Sequence, residues 1–162
     1  MTTILAIDPC AEREVSCTGW AFGEYEPQTP FRLLDSGVIE GGFSGLAEEV
    51  KDPYSDDPLH YILLDEADLV LVEHYVPYNK AGDPTPLLAE GVVRCVRPDV
   101  VLQPSSALAL VSEVQAKALY PEIRAQGHHA DNLSALRHLL AYLVKNRHKP
   151  TLRAFTSIAR QR

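Results

Sequence analysis

Apolar residues along the chain fall into short blocks separated by polar, proline-bearing stretches. Thr3 to Ile7 is a short apolar run stopped by Asp8-Pro9, and it predicts a buried strand ended by a breaker. Thr18–Tyr25 and Phe31–Glu40 predict two more strands, joined through the turn-forming stretch Glu26-Pro27-Gln28-Thr29-Pro30. Three strands with short connections predict an antiparallel meander, which Gly41-Gly42 ends. Leu46–Val50 predicts a helical turn, Lys51–Pro58 an exposed loop and Leu59–Glu66 a helix. Asp68–Tyr75 is apolar almost throughout until Glu73, the pattern of a parallel strand covered on both faces. Val76–Pro84 predicts a loop and Pro86–Val96 a helix with proline in its first turn. Asp99–Gln103 predicts a fifth strand and Ser112–Tyr120 a helix, with a loop at Gln126–His129. From Asp131 a last helix repeats Leu133, Leu136, Leu139, Leu140, Leu143 and Val144 on one buried face. The order β-β-β-α-β-α-β-α-α predicts a mixed α/β sheet, with no internal repeat and no linker long enough to divide the chain.

With 162 residues, 46% of them apolar and 23% charged, the chain has the make-up of one soluble globular domain. No apolar run approaches the roughly 18 residues that span a bilayer. The N-terminus runs straight into a strand, with no basic start or small-residue cleavage site, so no signal peptide is predicted. Cys10, Cys17 and Cys95 are odd in number and lack CxxC spacing. They predict reduced thiols and a cytoplasmic setting, with a zinc site from Cys10, Cys17 and a histidine as the alternative. No glycine-rich phosphate loop of the P-loop or GxGxxG type is present.

The net charge of −7 is unlike that of a simple nucleic-acid binder. It is also unevenly spread. Beyond Asp131 the chain carries Arg137, Lys145, Arg147, Lys149, Arg153, Arg160 and Arg162 and no acid, which is +7 and leaves −14 for residues 1–131. Such a chain presents one basic face to DNA, or carries a solvated tail.

Three carboxylates fall where elements end: Asp8 closes the first strand, Glu73 lies near the end of the fourth, and Asp131 opens the last helix. Each has an ordinary structural role when read singly. Asp8 suits a turn before proline, Glu73 a half-exposed strand end and Asp131 a helix N-cap. His128 and His129 suit a surface loop. Together the acids would be costly to bury without a partner, and a hard divalent cation relieves that cost.

The surrounding motifs bear a family likeness. Ile4-Leu5-Ala6-Ile7-Asp8-Pro9 followed by Thr18-Gly19-Trp20-Ala21 resembles the opening of RuvC-type nucleases, a strand ending in Asp-Pro-Gly and a second opening with Thr-Gly. Val70-Leu71-Val72-Glu73 resembles that family's second acidic strand. Asn79 and the run Leu87-Leu88-Ala89-Glu90-Gly91-Val92 resemble its next loop and helix. His128-His129-Ala130-Asp131 resembles its C-terminal acidic motif. The resemblance extends from residue 4 to about residue 144. Departures are Cys10 in place of glycine, a longer gap between Asp8 and Thr18, His128 in place of a carboxylate, an acidic overall charge and an extension past Lys149.

The resemblance implies an RNase H-like fold, with a mixed five-stranded sheet of three antiparallel then two parallel strands flanked by helices. It places a nuclease domain at residues 1–149 and a basic extension at 150–162. It implies a Mg²⁺-dependent endodeoxyribonuclease of DNA recombination and repair, using two ions, with Mn²⁺ able to substitute. Asp8, Glu73, His128 and Asp131 are the implied catalytic and metal-binding residues, and His129 replaces His128 if the register differs by one. His138, two turns beyond Asp131 on the same helix face, is assigned to packing in preference to a place behind the ligands or at DNA. Tyr75 and Tyr78 lie where the family stacks an aromatic ring on a base. Lys80 and Lys117 are candidate phosphate contacts, from their charge alone. The implied substrate is branched DNA, chiefly four-way junctions, cut by a homodimer, with no membrane partner. A branched-DNA or RNA–DNA hybrid nuclease, or a non-catalytic DNA-binding protein of the same fold, stands as the alternative.

Overall fold

A computed structural model of the chain describes residues 1–9, 17–51, 64–76, 84–127 and 129–160. Five strands form one sheet: β1 (Thr2–Asp8), β2 (Cys17–Glu26), β3 (Thr29–Glu40), β4 (Leu69–His74) and β5 (Val101–Pro104), in the order β3-β2-β1-β4-β5. β1, β2 and β3 are the antiparallel meander, and β4 and β5 add to β1 in parallel. The helices are α1 (Gly42–Lys51), α2 (Thr85–Val96), α3 (Glu113–Leu119), α4 (Asp131–Lys145) and α5 (Lys149–Arg160), with a 3₁₀ turn at Ser105–Leu110. Among the described residues no helix is long and apolar enough to cross a membrane.

Alternation along the strands sends successive side chains to opposite faces of the sheet. Ile4, Ala6 and Leu71 join Leu133, Leu136, Leu139, Leu140 and Leu143 of α4 in one core. Leu5, Ile7, Val70 and Val72 join Leu46 and Val50 of α1 and Ala89 and Val93 of α2 in the other. β1 and β4 are therefore covered on both faces, as their unbroken apolar runs require. At the start of the pair, the Thr3 hydroxyl donates to the Glu66 carbonyl, and the Asp68 carboxylate accepts from the Thr3 amide at 2.8 Å. These bonds fix the β1–β4 register.

Several elements differ from the sequence expectation. The helical turn expected at Leu46–Val50 is a full helix beginning at Gly42. Gly41 and Gly42 have φ of 85° and 58°, so they end β3 through the left-handed region and lead into this helix. The loop expected at Lys51–Pro58 and the helix at Leu59–Glu66 fall mostly outside the described residues, and residues 64–66 are helical. The extension past Lys149 contains α5, which packs on β3, α3 and α4. His148 latches its start. Its Nε2 lies 2.7 Å from the Glu26 carbonyl oxygen, to which it donates, and the Thr151 hydroxyl donates to Nδ1 at 2.7 Å.

Candidate metal and active site

The strand registers bring the key residues into one row. Asp8 pairs with Gly19 of β2. Ile7 pairs with Val72, so the next residues, Asp8 and Glu73, lie abreast at the carboxyl ends of two parallel strands. Glu73 in turn pairs with Gln103 of β5. Asp8 follows Ala6 by two residues and Glu73 follows Leu71 by two, so both carboxylates rise from the face that α4 covers.

α4 crosses this row one turn at a time. A Cβ on Gly19 would stand 2.1 Å from the Asp131 carbonyl oxygen, so only glycine lets the helix start sit this close to β2. Ser134, one turn on, hydrogen-bonds the Asp8 carboxyl. His138, a further turn on, places Nε2 3.7 Å from Glu73 Oε1. Residues 131, 134 and 138 thus share one helix face, each over a different strand. The Asn132 side chain secures the approach to the helix, accepting from the Gln126 amide and donating to the Arg124 carbonyl, both at 2.9 Å. Gly127, at φ 83°, faces the Asp131 carboxylate so closely that a Cβ would fall 2.0 Å from Oδ2. Ala130 is held at φ 58°, a left-handed conformation unusual for a residue with a side chain.

One ligand atom each from Asp8, Glu73 and His138 lies within 4.8 Å of the others. Burial pushes the Asp8 carboxyl well above the usual range, and its hydrogen bond with Glu73, the negative charge there and Asp131 add to the rise; Ser134 opposes it. Burial also acts to raise Glu73, but the facing His138 ring and hydrogen bonds from Asp8 and Ser105 outweigh it and hold this carboxyl down to about 2. Asp8 therefore carries the proton that it shares with an ionised Glu73. Asp131 Oδ2 is buried with no hydrogen-bond partner among the described residues. Two acids converge, one of them neutral only by holding a proton, and Asp131, whose charge reaches Asp8, brings an orphaned oxygen at the start of α4. That donor set fits hard divalent cations.

The structure brings Asp8 and Glu73 together and sets Asp131 beside them, at the first residue of α4 instead of its N-cap, which is Ala130. His128, Tyr78 and Lys80 lie outside the described residues. His129 is exposed in the turn before α4. Tyr75 is half-buried just after β4. Lys117 lies on α3 and pairs with Glu113 at 2.5 Å, an i,i+4 surface ion pair. His138, assigned in the sequence to packing, is buried but stands against Glu73, and Ser134, Ser105 and Gln103 join it around the acids. The spacing of 131, 134 and 138 was the available signal for two of them; nothing in the sequence marked Gln103 or Ser105.

This sheet order, with acids at the ends of β1 and β4 under a crossing helix, defines an RNase H-like architecture. No family model and no curated protein matches the sequence. Among solved structures the fold is similar to that of RuvC from Thermus thermophilus. The structure of T. thermophilus RuvC in complex with a Holliday junction substrate superposes with a TM-score of 0.64 at 12% identity, over 93% of this chain and 98% of that one. A second T. thermophilus RuvC structure gives 0.58 at 13% identity, over 90% and 97%.

Proposed function

We propose that this chain is a divalent-metal-dependent endonuclease that resolves four-way DNA junctions. The observation that carries the reading is the abreast pair Asp8 and Glu73, on parallel strands beneath the start of α4, in a fold shared with a RuvC bound to a Holliday junction. Asp8, Glu73 and Asp131 would hold the cations, with His128 completing the set from the loop before α4. Mg²⁺ is the ion of choice for so oxygen-rich a site. Divalent cations held there would polarise the scissile phosphodiester and lower the pKa of an attacking water.

The chain's own part is to gather the acids and manage their protons. Asp8 would give up its proton to serve as a ligand, and Glu73, already ionised, would serve as one without that step. Ser134 donates to Asp8 and Ser105 to Glu73, with His138 facing Glu73 from the helix, which sets the direction of the carboxylates. Tyr75 and Tyr78 stack on bases near the branch point, and Lys80, Lys117 and the basic end meet phosphates. A four-way junction calls for two symmetric cuts, so the working form is a homodimer, checked by its mass in light scattering at micromolar concentration.

The test is cleavage of a synthetic four-way junction with Mg²⁺ by wild type, Asp8→Asn and Glu73→Gln. Paired symmetric nicks are expected from wild type. Either variant should lose at least about 100-fold in rate, beyond the loss typical of residues that only support a ligand. Equal cutting of linear duplex would remove the junction selectivity and keep the nuclease. Tight junction binding with no cleavage by any of the three would overturn the enzyme.

A further inference from the structure

Gln103 and His138 are buried together, 4% and 1% exposed, at the edge of the acidic cluster. The Gln103 side-chain nitrogen lies 2.9 Å from the backbone oxygen of His138 and 3.3 Å from its Nδ1. A carbonyl oxygen only accepts, so the amide atom facing it has to be the NH₂ group. The second hydrogen of that group is then presented to Nδ1, which has to accept it. A ring with Nδ1 accepting carries its proton on Nε2. Nε2 is buried and faces Glu73 Oε1 at 3.7 Å, and it has no hydrogen-bond partner among the described residues. A protonated ring nitrogen has no lone pair to give to a cation.

We infer that Gln103 and His138 form a positioning pair: Gln103 commits His138 to the Nε2–H form, and His138 uses that hydrogen to aim Glu73 at the metal without becoming a ligand itself. The role toward the metal rests on the function proposed above; the state of the ring does not. Position alone would make His138 a ligand, since its Nε2 is as near to Asp8 and Glu73 as a shared cation needs. The hydrogen bonding of its far nitrogen is what assigns it the other part.

The experiment is long-range ¹H–¹⁵N correlation of the imidazoles in ¹⁵N-histidine-labelled protein, with and without Mg²⁺, the His138 signals being identified by their loss in His138→Gln. The expected result is an Nε2–H ring that stays protonated at Nε2 when Mg²⁺ is added, and that gains the Nδ1–H form in Gln103→Met. Calorimetry supplies the second readout. His138→Leu should weaken Mg²⁺ binding about 10–100-fold. His138→Gln, whose amide N–H reaches the place of Nε2, should recover most of that loss. An Nδ1–H ring in wild type, an Nε2 that loses its proton to Mg²⁺, or unchanged Mg²⁺ affinity in His138→Leu would each overturn the inference. Wild type with the Nε2–H ring but no Mg²⁺ binding would instead defeat the proposed nuclease and leave the assignment of the ring standing.

Discussion

Asp8 is held in the form that its proposed task does not use. Its carboxyl keeps a proton well above its ordinary pKa because burial and the charge of Glu73 disfavour a second anion. Coordinating a cation releases that proton, so Mg²⁺ affinity should rise with pH above the ordinary carboxyl range. Calorimetry in buffers of different ionisation enthalpy should show proton uptake by the buffer. For stability the sign is opposite for the two acids. The folded protein holds the Asp8 proton more tightly than the unfolded chain does, so this contribution falls as pH rises above the ordinary carboxyl value. Glu73 contributes stability above about pH 4.5, and it is lost as pH falls toward about 2. Asp8→Asn removes the need for the proton. It should raise the metal-free melting temperature, by about 0.5–2 kcal/mol in stability, while abolishing any further rise on adding Mg²⁺. Both acids were legible in the sequence because each ends an apolar run, where a charge has no packing role. His138 was not, because a histidine among leucines on a helix looks the same whether it packs or works; only the placement of Glu73 opposite it decides.

At the scale of elements, the site depends on how closely α4 rides over β2. Gly19→Ala would drive a methyl into the Asp131 backbone, which neither a strand nor a helix start yields easily. The expected cost is about 1–3 kcal/mol in denaturant unfolding, with weakened Mg²⁺ binding as Asp131 moves. The Thr18-Gly19 pair was visible in the sequence as a motif, but its reason is this contact, between residues more than a hundred apart. The strands and α4 were equally visible through their periods of two and 3.6. α5 stands out less: Leu152, Phe155 and Ile158 recur at helical spacing, but among polar and basic residues, with one buried residue, Thr151, and a start that depends on a histidine reaching a distant strand. His148→Ala should cost about 1–3 kcal/mol by leaving the Glu26 carbonyl short of a donor, and hydrogen exchange should quicken first in α5.

Over the whole molecule the charge is segregated. Residues 1–131 carry all the negative charge, a net −14, with Asp8 and Glu73 at the carboxyl ends of two central strands, and residues beyond Asp131 carry only positive charge. Truncation after Arg147 would remove Lys149, Arg153, Arg160 and Arg162 together. Junction affinity should fall, and the salt dependence of binding should become shallower in proportion to the phosphates that these cations neutralise, with the cleavage rate at saturating DNA preserved. A salt slope equal to that of the full chain would show that this end faces away from the DNA. The net charge of the chain alone gave no hint of this, because it averages the two regions.

The row formed by Gly19, Asp8, Glu73 and Gln103 has a consequence for assembly of the chain. Each residue is supplied by a different strand, and slipping any strand by one position would turn its member to the opposite face of the sheet. Misregistered sheets would therefore bury plausible apolar cores yet lack a place for the cation. Mg²⁺ would act as an inspector of topology during folding, stabilising only chains in which all four strands have found their partners.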